Sequence, residues 1–215
     1  MSAGTGDCEA ARAGLLGQPS NALSSLALVV AGAWIAWRAW RAPSMRLEAA
    51  LFGLAVALVG VGSAVLHGPH PPWSQWAHDV AIAAGLALSV AVDAELLGAG
   101  RRVALGGAAA VIVLAGATFG AWPDAQRPLY AVLGVAFGLT ELTCLRRGLH
   151  RLRPWLVAAA LFGLGAAAFW IGKDGSPWCR PDSVLQWHAV WHVLQAGALA
   201  AWSVAVFPSP EPVGR

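Results

Sequence analysis

The chain has 215 residues, 58% of them hydrophobic and only 12% charged, whereas a soluble globular domain carries about 25% charge. That balance excludes an ordinary water-soluble domain. The net charge of +3 is not a nucleic-acid signal, because the arginines fall in loops between apolar runs and report topology instead.

In chain order, the first twenty residues hold Asp7, Glu9 and Arg12 with no apolar stretch behind a basic start. No cleavable signal peptide is expected there, and the first apolar run serves as a signal anchor. Seven stretches follow that are long enough to cross a bilayer core of ~30 Å: 22–41, 49–67, 78–97, 103–121, 128–145, 154–172 and 186–206. Pro43, the Pro69/Pro71/Pro72 group, Gly98 and Gly100, Pro123, Pro154, and Pro177 with Pro181 punctuate the breaks. Unpaired backbone groups cost several kcal/mol each in hydrocarbon, so the spans must be helices. Small residues, as in LFGLGAAAF at 161–169, allow those helices to approach closely. The expectation is an all-α bundle of seven transmembrane helices in one domain over 1–215, with an N-terminal segment 1–21 and a tail 207–215.

Ten basic residues (Arg38, Arg41, Arg46, Arg101, Arg102, Arg146, Arg147, Arg151, Arg153 and Arg215) fall on one side of the spans. Four (Arg12, Arg127, Lys173 and Arg180) fall on the other. The positive-inside rule then puts the C-terminus in the cytoplasm and the N-terminus outside. Cys8 and Cys179 both lie on the predicted outer side, where an oxidising compartment allows them to pair, the alternative being three unrelated thiols. Cys144 reads as a buried thiol. Twelve Trp against one Tyr suit interfacial belts. Thirteen Arg to one Lys suggest a GC-rich, bacterial source, hence an inner membrane.

Polar groups inside apolar spans are costly and therefore informative. Ser63 and His67 are four residues apart on one helix face. Asp79 opens span three, and His188 and His192 form an i, i+4 pair on the first turns of span seven. All fall at the outer ends of their helices. Two imidazoles from one helix and a third from another make a three-ligand zinc shell with its fourth position open. Asp79 is a candidate for taking a proton from water, and Ser63 for stabilising an oxyanion. Haem ligation is the other reading of such histidines, less suited because His188 and His192 share a helix. His70, His78 and His150 read as loop or interfacial residues. Asp93, Glu95 and Glu141 read as partners of nearby arginines or as snorkelling groups, and Trp187 and Trp191 as packing.

The set SxxxH (Ser63, His67), Asp79, and His188, Trp191 and His192 resembles the alkaline ceramidase family, seven-span hydrolases related to the progestin and adiponectin receptors. The opening CEAARAGLLGQPSNALSSL (8–26) is similar to that family's start. The resemblance implies a zinc-dependent hydrolase cleaving the amide of ceramide, or of a related membrane lipid, to a fatty acid and a sphingoid base. His67, His188 and His192 would bind Zn2+, Asp79 would activate water and Ser63 would assist at the carbonyl. The resemblance also implies a Cys8–Cys179 disulfide. Eukaryotic members bind Ca2+ near the N-terminus; here Asp7 and Glu9 remain as candidate calcium ligands, while Ala11 and Gln18 stand where Asn and Glu are expected. Because the related receptors keep similar ligands, a lipid-binding receptor with structural zinc is the second reading.

Overall fold

The computed structural model describes residues 6–41 and 45–207; Pro43, Arg215 and most of the expected tail lie outside them. The described residues form helices and no strand. In order these are α1 (Pro19–Ser24), α2 (Leu26–Ala39), α3 (Arg46–His67), α4 (Ser74–Leu96), α5 (Arg101–Ala121), α6 (Gln126–Arg146), α7 (Leu152–Ile171) and α8 (Trp187–Val206), with one 3-10 turn at Pro123–Ala125. Six segments are long and apolar enough to cross a membrane: α1 and α2 together, α3, α5, the 3-10 turn with α6, α7 and α8. The expected third span is α4, 23 residues long. It is not among the six, and it carries Asp79, Asp93 and Glu95.

The expected first span is broken in two. Pro19 starts α1, where its missing N–H is no loss. At the break the hydroxyls of Ser24 and Ser25 both donate to the Asn21 carbonyl, at 3.0 and 2.7 Å. Such back-bonding competes with the helical ladder and bends the chain there.

Helix α4 packs against α3, α5 and α6, while α2 packs on α3 and α8, and α7 packs on α8. The α2–α3 contact depends on glycine. A Cβ at Gly53 would fall 2.6 Å from Ala36 N, and one at Gly32 would fall 2.4 Å from Ala57 N, so only bare backbone fits. Phe52 and Trp202, with ring centroids 4.7 Å apart, centre the apolar core. The outward faces of α5, α6 and α7 expose Val103, Val113, Leu114, Val132, Val135, Leu139, Leu156 and Phe162. An apolar exterior over long helices defines a multi-pass integral membrane protein. At one end Arg38 and Arg41 stack over Trp34 and Trp37 at 4.8 and 4.6 Å, an amphipathic pairing suited to a headgroup region.

Candidate metal centre

The last turn of α3 and the first turns of α8 bring His67, His188 and His192 together. One nitrogen from each lies within 4.8 Å of the others, and all three residues are buried. Ring centroids are 5.0 Å apart for His67–His188, 5.4 Å for His67–His192 and 4.6 Å for His188–His192. The i, i+4 spacing on α8 puts two imidazoles on one face, and α3 delivers the third across the α8 face. Ser63, one turn before His67, is fully buried, with Oγ 3.2 Å from His192 Nε2 and 2.9 Å from Ser25 Oγ.

Each imidazole has a polar neighbour on Nδ1. Gln18 Oε1 is 2.6 Å from His67 Nδ1, and the Gln18 amide orientation is fixed because its Nε2 donates to the Glu9 carbonyl at 2.7 Å. His67 Nδ1 must therefore carry the proton. Ser24 Oγ lies 2.9 Å from His192 Nδ1 and donates its own hydrogen to Asn21 O, so it accepts from His192. Asp7 Oδ1 stands 3.2 Å from His188 Nδ1, close but off the line of its N–H. For His67 and His192 these contacts leave the lone pair on Nε2. Three neutral nitrogens converging in a dry site suit a borderline-soft ion such as zinc far better than a hard, oxygen-seeking one.

Asp79 is buried on the first turns of α4, on the helix next to α3. Its Oδ2 accepts from Gln75 Nε2 at 2.9 Å, its Oδ1 lies 3.2 Å from His78 Nδ1, and its carbonyl accepts from Tyr130 Oη at 2.9 Å. His78, read from the sequence as interfacial, is thus the neighbour of this carboxylate. His70 is exposed, as expected. Trp191 packs against Phe162 and Phe169.

Cys8 and Cys179 bring their Sγ atoms to 2.11 Å, disulfide distance, across 171 residues. Asp7 and Glu9, the candidate calcium ligands, both line one small pocket together with Gln18 and Asp174. Asp7 Oδ1 accepts from Lys173 Nζ at 2.8 Å. Glu9 takes the Ser20 and Asn21 amides at 2.8 and 2.9 Å, serving as the cap of α1. The sequence reading missed Ser24, His78 and Lys173 as neighbours of the site and noted Gln18 only as a substitution. The one available signal was the clustering of amide and hydroxyl groups around Pro19, immediately before the first apolar run.

A second buried polar group lies at the far end of α4. His150 Nε2 is 3.1 Å from Asp93 Oδ1 and 3.4 Å from Glu141 Oε1. Thr140 donates to Asp93 at 2.8 Å, Trp202 donates to Glu141 at 2.6 Å, and Trp155 also donates to Glu141. This departs from the reading of Asp93 and Glu141 as arginine partners. His150 lies in the arginine-rich loop as expected, with its imidazole fully enclosed. Cys144 is free and buried, as expected.

Comparison with known protein families finds no matching family model, and comparison with curated proteins finds no match.

Proposed function

We propose that this chain is a zinc-dependent lipid amidase of the alkaline ceramidase type. In this reading α4 is the third of seven spans, the N-terminus is outside and the metal centre lies near the outer face of a bacterial inner membrane. The observation that carries the reading is the burial of His67, His188 and His192 with one ring nitrogen of each within 4.8 Å of the others. The positive-inside count supports the orientation. The family resemblance of Ser63, His67, Asp79, His188 and His192 supports the substrate class, the amide of ceramide or a related lipid.

His67, His188 and His192 would hold the zinc, which when bound supplies Lewis-acid polarisation of a carbonyl and lowers the pKa of water. Because all three donors are neutral, they leave the ion's charge undiminished for that task. Asp79, steadied by Gln75, takes the proton from the attacking water. Ser63 turns its hydroxyl to the carbonyl oxygen as negative charge develops there. As the C–N bond breaks, the proton held by Asp79 passes to the leaving nitrogen, giving a fatty acid and an amine such as a sphingoid base. Helix α6 packs chiefly on α4, and α7 chiefly on α8.

The test is hydrolysis of N-acyl sphingoid lipids in mixed micelles by purified protein. His188→Ala and Asp79→Ala are each expected to lower turnover by at least ~100-fold. Activity surviving both substitutions would overturn the assignment.

A further inference from the structure

The segment from Asp7 to Ser24 touches every one of the three histidines, and each contact falls on Nδ1: Asp7 on His188, Gln18 on His67 and Ser24 on His192. These three partners come from one stretch of chain that contributes no metal ligand of its own. The stretch is fastened along its length. Cys8 N donates to Gly172 O at 2.9 Å, Ala10 N to Pro181 O at 3.0 Å, and Gln18 N to His67 O at 2.7 Å. Its start is held covalently through Cys8 to Cys179, on the loop that leads into α8, and Asp7 is adjacent to that cysteine. Asp7 also bonds Lys173 Nζ at 2.8 Å, so its carboxylate is held between an ammonium and an imidazole.

We propose that this amino-terminal strap is a positioning element of the metal centre, with Asp7, Gln18 and Ser24 fixing the three imidazoles with Nε2 presented to zinc. The Cys8–Cys179 clip then makes metal retention sensitive to reduction. The inference rests on the metal-binding reading above and adds its regulation. An imidazole whose Nδ1 lacks a partner is free to rotate and to place its proton on either nitrogen, and removing such a partner typically weakens metal binding by 10–100-fold. Opening the clip leaves Asp7 tethered only by non-covalent contacts, so His188 loses its neighbour first.

The experiment is zinc competition between a fluorescent chelator and purified, detergent-solubilised full-length protein, with far-ultraviolet circular dichroism recorded on each variant. Gln18→Ala, Ser24→Ala and Asp7→Asn are each expected to weaken zinc binding by about 10–100-fold. Gln18→Glu, which keeps an acceptor oxygen toward His67, restores it. Ser20→Ala lies in the same strap but removes only a hydroxyl that donates to the Val184 carbonyl, and is expected to leave affinity unchanged. Cys8→Ser, or wild type treated with a phosphine reductant, is expected to release zinc at least several-fold faster. Wild type that binds one zinc with strap variants of native helicity within twofold of it would overturn the proposal and leave the metal centre standing. Wild type that binds no zinc would overturn both.

Discussion

Replacing His150 by Gln tests whether the far-end cluster is an ion pair. The imidazole is enclosed against Asp93 and Glu141. Burial alone lowers its pKa, but hydrogen bonding to Asp93 and Glu141, together with their charges, outweighs burial and lifts it from 6.5 to about 9. A folded pKa above the unfolded one means that the folded protein holds the proton more tightly. The resulting stabilisation is therefore complete below pH ~6.5, declines as the pH rises and is gone above ~9. A difference of that size corresponds to ~3 kcal/mol as an upper bound, and relaxation around the buried pair is expected to lower the observed figure to about 1–2 kcal/mol. The assay is the unfolding midpoint of detergent-solubilised wild type and His150→Gln at pH 6, 8 and 9.5. Comparing the two proteins cancels the titrating groups that do not contact His150. The stability gap is expected to shrink by about 1–2 kcal/mol between pH 6 and 9.5. A gap that stays constant or widens with pH would refute the ion pair.

Gly53→Val should destabilise the bundle by about 3 kcal/mol or more, because the new Cβ meets Ala36 N and Gly32 O at 2.6 and 2.7 Å. Gly106→Ala, where a Cβ meets nothing within 4 Å, should be neutral or slightly stabilising by melting temperature. A calcium-selective chelator should leave lipid hydrolysis unchanged, while a zinc chelator abolishes it and added zinc restores it. Inhibition by the calcium chelator, reversed only by calcium, would show that Asp7 and Glu9 bind that ion after all.

The helices were legible in the sequence because apolar runs of membrane length have few alternatives. The expected ends 49–67 and 186–206 fall within three residues of α3 and α8. The break between α1 and α2 was not legible, since it comes from two serine hydroxyls returning to one carbonyl rather than from a helix-breaking residue type. The histidine trio was legible because two of its members share a helix at i, i+4 and the third closes the end of α3, so position along the spans alone placed them at one bundle end. Their Nδ1 partners were not. Gln18 and Ser24 reach the histidines only once the strap runs back over the ends of α3 and α8, and no local periodicity encodes that path.

His150 shows the same limit from the other direction. It sits in RRGLHRLR at 146–153, a composition that reads as solvated loop, and the charge of its neighbours argued for exposure. Gly148 adopts φ +67°, a left-handed turn that glycine takes without strain, and His150, two residues on, is carried back under the bundle. The arginines stay outside while the imidazole goes in to meet two carboxylates from α4 and α6. Asp79 and Asp93 then lie four turns apart on one helix, each buried beside a histidine. Helix α4 therefore carries a carboxyl group near each end, and at both ends an imidazole lies beside it.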